Sequence, residues 1–297
     1  MSDSNGRPLK SSMQVFSLDE IVSTLQEMEA PPTAFSPLGF LSSDKYAEFD
    51  KKKGEVSLRK RQLSAPTPDG MSFVASYFDA LQVVVDPIYS VEIVSVALKT
   101  QVLARAFYWG DGQTIVEAHV SEDGFRMSSP MPIESWALAF SKMLLGETNN
   151  CHDPLILPKN AYQMCQQFTH SLATVEELSV GGLRAHIQEL EALADEQLDA
   201  IIAALYGVGI LQNKDDEDRS AFGHPIWNCF ACDKNIQVMF RDEQGDVGSM
   251  SFSGSAGNAT QIITPINDDP ELLMATWPSP ESLRDELMVG LQLVDGD

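Results

Sequence analysis

The sequence predicts an α+β protein with two similarly ordered halves, each an antiparallel β-meander with packed helices. Three observations lead to this prediction. Segments with apolar residues at helical spacing flank segments rich in β-branched residues, turns of Gly and Asp separate the β segments, and this order occurs twice along the 297 residues. Such a repeated order permits a pseudo-two-fold relation between the halves.

The helices of the first half are predicted from capping residues and apolar spacing. Ser17 and Glu20 have the spacing of a capping box, in which the hydroxyl accepts an early helix N–H and the carboxylate reaches back to the cap. Further helical segments are predicted over 44–58 and from Asp69 onward, on either side of a proline-bearing break at 64–68. The apolar residues at helical spacing in the first helix are Leu18, Ile21, Val22, Leu25 and Met28, and Pro31-Pro32 ends it.

The β segments of the first half follow Asp86-Pro87. The runs 89–98 and 101–109 are rich in β-branched and aromatic residues, and the tight-turn signal Gly110-Asp111-Gly112 connects them to a third run at 114–120. These three runs predict an antiparallel meander. A short strand over 125–127 and an amphipathic helix that begins near Ile133 complete the half.

The second half repeats this order. Its helical section contains a capping box at Thr174 and Glu177 and a further N-cap at Asp195, and two helical signals end the chain. Strands are predicted over 226–231, 236–240, 247–252 and 259–263, and the final helices over 271–275 and 281–291.

These patterns divide the chain into four parts. A disordered leader is predicted over 1–15, an N-terminal half over 16–146, a polar, proline-bearing connector over 147–160, and a C-terminal half over 161–297. Two proline pairs with the same separation, Pro87 with Pro132 and Pro225 with Pro270, provide a landmark for aligning the halves.

The charge balance disfavours some classes of partner. The chain has 20 Lys and Arg against 43 Asp and Glu, a net charge of −23, which repels nucleic acid and anionic lipid. No long apolar run or signal peptide is apparent, and four scattered cysteines do not suggest a disulfide framework, so a cytoplasmic protein without membrane insertion is predicted. One basic cluster is predicted to be a solvated helix face or loop rather than a nucleic-acid or targeting signal: Lys51, Lys52, Lys53, Arg59, Lys60 and Arg61.

No catalytic, cofactor or metal site is predicted. Cys229 and Cys232 form a CxxC pair, but a zinc site requires four ligands and no second pair follows at finger spacing, so buried structural thiols are preferred. The acidic runs lack EF-hand spacing and the glycine turns lack the helix and Lys of a phosphate-binding loop. The five histidines, none of which lies in a catalytic signature, are His119, His152, His170, His186 and His224.

The tract 38–145 resembles a known family. Its motifs are Asp86-Pro-Ile-Tyr-Ser-Val-Glu-Ile93, Trp109-Gly-Asp-Gly-Gln-Thr-Ile-Val116 and Glu122-Asp-Gly-Phe-Arg-Met127, followed by an amphipathic helix. This order is similar to the half-domain of EspG-type chaperones of type VII (ESX) secretion systems. The resemblance implies two quasi-symmetric α+β halves and a cytoplasmic chaperone that holds secreted helical substrates, but assigns no role to a numbered residue.

The functional hypothesis is a non-enzymatic cytoplasmic chaperone or adaptor that binds a helical secretion substrate, a small helical protein or a heterodimer. The predicted contact residues are Trp109, Gly110, Asp111 and Gly112 at the tip of the first meander, which could equally form only a turn. Two alternatives remain: an acidic inhibitor or immunity-type protein of a basic partner, and an enzyme whose site is assembled only in the fold.

Overall fold

The computed structural model describes residues 13–68, 70–97, 103–146, 154–159, 234–254, 257, 259–263 and 269–292. The helices are α1 (Leu18–Met28), α2 (Lys51–Lys60), α3 (Ala75–Val85), α4 (Ile133–Leu145) and α5 (Pro280–Gln292), with a 3-10 helix at Ser43–Glu48. The first-half strands are β1 (Gln14–Phe16), β2 (Ser64–Thr67), β3 (Gly70–Phe73), β4 (Tyr89–Ala97), β5 (Leu103–Gly110), β6 (Thr114–Ser121), β7 (Gly124–Met127) and β8 (Met131–Pro132). They are followed by β9 (Leu155–Pro158), β10 (Lys234–Asp242), β11 (Gly245–Ser253), β12 (Thr260–Ile263) and β13 (Leu272–Thr276).

The α+β class is confirmed. Among the described residues, a single antiparallel sheet of 11 strands has the order β1-β7-β6-β5-β4-β10-β11-β12-β13-β9, with β8 added to β6, and β2 pairs only with β3. The two predicted meanders are therefore halves of one sheet. They meet where β4 pairs with β10 in an antiparallel register that runs from Ser90 opposite Arg241 to Ala97 opposite Lys234.

The strand order reads equivalently from either end. In each half the first strand of the meander lies at the centre, and the last lies furthest from it within the meander. A short strand that precedes the meander in the chain pairs with that last strand and forms the outer edge. By this criterion β1 corresponds to β9, β4 to β10, and β7 to β13. The topology of the described strands is therefore that of two repeats around the β4–β10 pair.

Helices α4 and α5 occupy equivalent places after the two meanders and contact each other. They cover one face of the central strands, where Val91, Tyr108, Val238 and Phe240 are buried against them. The proline landmark is wrong, because Pro132 is the N-cap of α4 whereas Pro270 precedes strand β13, and α5 begins only at Pro280.

The opposite face of the outer strands of the first half is covered by α1, α2 and α3. Their apolar sides pack with Val116 and Ala118 of β6 and with Phe125 of β7. The capping box at Ser17 is confirmed: Ser17 Oγ accepts from the Glu20 N–H at 3.2 Å, and Glu20 Oε2 accepts from the Ser17 N–H at 2.8 Å.

The predicted leader extends too far toward Phe16, because β1 begins at Gln14 and pairs with β7. Phe16 is buried and its ring lies 4.9 Å from that of Tyr77. A strand of three residues has no periodicity to detect, and its conformation depends on a partner far along the chain. The rest of the leader, 1–12, lies outside the described residues.

The predicted break at 64–68 and the helix from Asp69 are also corrected. Residues 64–67 and 70–73 form the hairpin β2–β3, with Ser64 opposite Phe73 and Thr67 opposite Gly70, and α3 begins at Ala75. Gly70 has a φ of +139°, which side chains rarely adopt. Pro66 lies within β2 opposite Met71, since a two-stranded ribbon tolerates proline on its unpaired side.

The helix predicted over 271–275 is wrong, because residues 272–275 belong to β13, which pairs with both β12 and β9. Leu, Met and Ala favour helices, but propensity is a weak preference that tertiary pairing overrides. The exposure of this strand alternates, with Leu273 and Ala275 buried between more exposed neighbours.

The connector over 147–160 contains one element of the sheet, since β9 at Leu155–Pro158 pairs with β13. The strand predicted over 226–231 and both helices predicted from Thr174 and Asp195 lie outside the described residues. The strands predicted over 236–240, 247–252 and 259–263 are confirmed as β10, β11 and β12, and the final helix as α5.

Candidate protein-docking face

The four central strands β5, β4, β10 and β11 differ on their two faces. On one face the side chains are buried under α4 and α5, as for Ala106 and Val238. On the other face Ser90, Glu92 and Ser253 are buried, whereas most of the other side chains are half-buried or exposed, and Leu103 is 48% exposed. We call this second surface the open sheet face; its residues are Val94, Val96, Leu103, Arg105, Phe107, Gln237, Met239, Ser249 and Ser251.

The strand register places these residues side by side. Val94 is opposite Arg105 on β5 and Gln237 on β10, and Gln237 is in turn opposite Ser251 on β11. Because directly opposite residues of an antiparallel sheet project from the same face, they form rows that cross the boundary between the two halves. The open sheet face is thus a continuous mixed surface of apolar, hydroxyl, amide and guanidinium groups.

An ion-pair cluster lies at the centre of this surface. The carboxylate of Glu92, which is 5% exposed, accepts a hydrogen bond from Arg241 Nη1 at 2.8 Å, and its other oxygen lies 3.7 Å from Arg105 Nε. Arg241 also donates from Nε to Asp246 at 2.5 Å. This bond to Asp246, together with the charge of Glu92, holds the pKa of Arg241 above its ordinary value.

The cluster joins the halves electrostatically. Glu92 belongs to the first meander and Arg241 to the second. Both guanidinium groups are more exposed than the carboxylate between them, with side-chain exposures of 54% for Arg105 and 37% for Arg241. The surface therefore presents cationic groups to an approaching partner although the chain as a whole is acidic.

A groove of about 320 Å³ continues the open sheet face toward the outer edge of the second half. Its walls combine apolar side chains with one ammonium group, two amides and a hydroxyl. The described residues that line it are Val94, Val96, Lys159, Asn235, Ile236, Gln237, Ser251, Phe252, Ile262 and Leu273. A groove with apolar walls and a few polar groups is the usual form of a recognition site.

Trp109, at the end of β5, was predicted to contact a partner, but its side chain is half-buried and packs against other residues of the protein. Its indole N–H donates to the Ala118 carbonyl at 3.0 Å, and its ring meets that of Phe35 edge-on at 5.6 Å. It packs against the core cluster of α1, α2 and α3 and is half-buried. Trp109 therefore forms the border between this helical layer and the open sheet face, on the same side of β5 as Phe107.

The three residues after Trp109 form the turn between β5 and β6. A Cβ atom added at Gly110 would lie 2.1 Å from Cζ of Tyr89, so only glycine fits there. Asp111 accepts hydrogen bonds from the Gln113 and Thr114 N–H groups at 2.9 and 2.7 Å, and Gly112 has a φ of +87°. Each residue has a structural role in the turn, and the prediction that these four residues bind a partner stays a prediction.

Sequence reasoning missed Glu92, Arg105, Arg241 and Lys159. Arg105 is the single charged residue in the apolar run of β5, which is an unusual position and the one signal that the sequence offered. The others could not be found without the fold, because Glu92 and Arg241 are 149 residues apart.

The basic cluster at 51–61 lies on α2 and its C-cap and is largely neutralised by acidic residues. Lys51 pairs with Glu27 at 2.8 Å, Lys53 with Asp19 at 2.7 Å, and Arg61 with Glu20 at 3.1 Å. Arg59 forms an i,i+4 pair with Glu55 within α2. The prediction of a helix face is confirmed, and its cations tie α2 and its C-cap mainly to α1.

In the part of the chain that the structure describes, no group of three or more His, Cys, Asp or Glu could hold a metal ion. His119 lies in β6, whereas His152, His170, His186, His224 and all four cysteines lie outside the described residues. Of the described helices, none combines the length and apolar character needed to cross a membrane.

No family model matches the chain, and no curated protein matches it. One solved structure that is similar to it is that of the Mycobacterium tuberculosis type VII secretion system chaperone EspG5 in complex with the PE25–PPE41 dimer. That similarity covers 95% of each chain with 11% sequence identity and a TM-score of 0.47, so it gives no functional role to any residue of this chain.

Proposed function

We propose that this protein is a non-enzymatic cytoplasmic chaperone or adaptor that holds a helical protein partner on the open sheet face. The family resemblance of the sequence adds that this partner is a small secreted helical protein or a heterodimer exported by a type VII system. The observation that carries the proposal is the contrast between the two faces of β5, β4, β10 and β11, one packed under α4 and α5 and the other mostly half-buried or exposed.

The composition of the open sheet face suits a protein partner. Leu103, Phe107 and Met239 provide apolar area, and the polar groups among them allow a wet, separable interface. An amphipathic helix laid on such a surface buries its apolar residues at i, i+3, i+4 and i+7 spacing. Exposed apolar residues grouped on one face are a recognised mark of an interaction site.

The open sheet face is smaller than the area that a stable complex usually buries on one partner. Four strands at about 4.8 Å spacing span about 14 Å, and eight or nine residues per strand extend for about 26–30 Å. This flat area of roughly 400 Å² is half of the ~800 Å² that a stable complex buries on each partner. The partner must therefore also contact a flank, either the groove beside Lys159 or the border at Trp109.

The net charge of −23 contributes to the same role. A strongly charged chaperone keeps a complex with an apolar partner in solution, because the complexes repel one another. Screening over a Debye length of about 8 Å at physiological ionic strength leaves the contact surface itself free to bind groups of either sign.

Site-specific photocrosslinking in native lysate tests the proposal. The photoreactive residue p-benzoylphenylalanine is placed at Leu103 or Gln237 on the open sheet face, and, as the matched control, at Val289, which is 55% exposed on α5. The proposal expects one helical protein to crosslink from both test positions and not from Val289. Its helical content is checked by circular dichroism of the isolated partner.

The same experiment separates the alternatives. A basic nuclease or toxin as the crosslinked protein favours an inhibitor or immunity function. The chaperone proposal is overturned if Leu103 and Gln237 crosslink no protein beyond those crosslinked from Val289.

A further inference from the structure

We propose that the groove beside the open sheet face receives a carboxylate side chain of the partner helix and that Lys159 is its counter-charge. This inference rests on the proposed function, because it assigns the chemistry of the docked segment. The partner segment that it specifies is an amphipathic helix with an acidic residue next to its apolar stripe.

The first observation is the position of Lys159. It follows β9 directly, its backbone N–H donates to the Glu271 carbonyl at 2.8 Å, and its side chain lines the groove while half-buried. Lys159 therefore belongs to the lining of a groove whose other walls include Val94, Ile262 and Leu273.

The second observation is that Lys159 forms no ion pair with any carboxylate of the described residues. Other described lysines, such as Lys52 and Lys142, also form no such ion pair, but Lys159 is the one that lines the groove. The cations of the α2 region show the contrast, since Lys51, Lys53 and Arg61 each contact a carboxylate within 3.1 Å. A half-buried ammonium group that has no counter-ion among the described residues can form a strong charge-assisted hydrogen bond with an acidic group of a partner.

The third observation is the set of uncharged polar groups near Lys159. Gln237 and Ser251 line the same groove, are directly opposite each other on β10 and β11, and are both exposed. Their amide and hydroxyl groups can donate hydrogen bonds to a carboxylate oxygen. A carboxylate on an apolar helix can therefore contact an ammonium, an amide and a hydroxyl group in this groove. A polyanion, in contrast, is repelled by the net charge of −23.

The test uses three synthetic helical peptides of about 20 residues, a length of ~30 Å that can cross the sheet. They share one apolar stripe and differ at a single flanking position, which is Glu, Gln or Lys. Binding to the full chain is measured by fluorescence anisotropy. The unaltered protein is expected to bind the Glu peptide about tenfold more tightly than the Gln peptide, a difference of ~1.4 kcal/mol.

Two variants make the test specific. Lys159→Glu is expected to abolish the preference for the Glu peptide and to favour the Lys peptide instead. Lys52→Glu, a change of the same charge on the exposed side of α2, is expected to retain the preference for the Glu peptide. Thermal unfolding of both variants checks that the fold persists.

Equal affinity of the unaltered protein for the Glu and Gln peptides, including no measurable binding of either, overturns the inference. So does a preference that survives in Lys159→Glu. The proposed function is tested separately by crosslinks from Leu103 and Gln237. Crosslinking to a helical protein without a preference for the Glu peptide would overturn this inference and leave the proposed function standing.

Discussion

The Arg241 Nη1 atom lies 2.8 Å from Glu92 Oε2, so that a guanidinium of the second meander contacts a carboxylate of the first. The two residues occupy adjacent central strands, β10 and β4, which pair along their length. This contact lies on the open sheet face, on the side of β4 and β10 opposite to α4 and α5. The junction of the halves and the proposed docking surface therefore share residues.

Replacement of Glu92 by Gln is expected to destabilise the protein by about 1–3 kcal/mol, because Arg241 and Arg105 then lose their shared counter-charge. The estimate stays below that for a fully buried pair, since both guanidinium groups contact solvent. Urea unfolding measures the change. Asp123→Asn is the matched control: it removes an exposed pair with Arg126 and is expected to change stability by no more than about 0.5 kcal/mol. Equal effects of the two substitutions would contradict the central role of Glu92.

Gly110→Ala is expected to lower stability by about 1–3 kcal/mol, because the added Cβ would lie 2.1 Å from Cζ of Tyr89 and the buried ring must move. Gly248→Ala on β11 is the control. A Cβ at Gly248 meets no atom within 4 Å, so that substitution is expected to be neutral or slightly stabilising. The difference between the two midpoints of thermal unfolding measures the effect. Equal changes in the midpoint of thermal unfolding for the two substitutions would show that Tyr89 does not pack closely against Gly110.

The pair of Asp19 and Lys53 predicts a pH dependence. The hydrogen bond from Lys53 holds the pKa of Asp19 below its ordinary value of 3.8. A carboxyl group whose pKa is lower in the folded state stabilises the protein above the unfolded-state pKa, and this contribution is lost as the pH falls through the folded-state pKa. Lys53→Met is therefore expected to reduce stability slightly at neutral pH, and the difference from the unaltered protein is expected to shrink below about pH 4.

Urea titrations at several pH values between neutrality and pH 3 test this dependence. Lys52→Met, on the neighbouring exposed residue of α2, provides the comparison. A constant difference between Lys53→Met and the unaltered protein across the range would show that Asp19 is not responsible.

The sequence predicted the local elements with strong signals. Ser17 and Glu20 form the predicted capping box, and the β-branched run of β4 pairs as a strand on both sides. It failed where distant pairing decides the conformation: β13 has helix-forming residues, and β1 is too short for any period to appear. Among the described residues, the repeated order of strands and of the helix that follows them was correct, whereas its proline landmark was a coincidence of spacing.

The candidate site was less predictable than the fold. The sequence directed attention to the turn after Trp109, because tryptophan and glycine are conspicuous. The residues of the open sheet face are ordinary in sequence, and only the register of β4 against β5 and β10 brings them together. An exposed face also cannot be told from a covered one until it is known which helices pack where.

The last prediction concerns Arg61, which holds the edge strand β1. Its guanidinium donates to the Val15 carbonyl at 2.9 Å, lies 4.4 Å from the centre of the Phe16 ring, and pairs with the buried carboxylate of Glu20 at 3.1 Å. Arg61→Ala removes these contacts together and leaves Glu20 with fewer donors. We expect a loss of about 2–3 kcal/mol and faster amide hydrogen exchange at residues 14–16.

Arg59→Ala is the matched control, because the polar contacts of Arg59 within the described part of the chain are with Glu55 of its own helix. It is expected to cost about 0.3–0.5 kcal/mol and to leave exchange in β1 unchanged. Because β1 forms the outer edge of the sheet, its release in Arg61→Ala exposes the backbone of β7 as a new edge, and edges of this kind template association. We therefore also expect light scattering that increases with protein concentration for Arg61→Ala and not for Arg59→Ala. Unaltered hydrogen exchange at Phe16 in both variants would contradict the prediction, because it would show that the pairing with β7 alone keeps β1 in place.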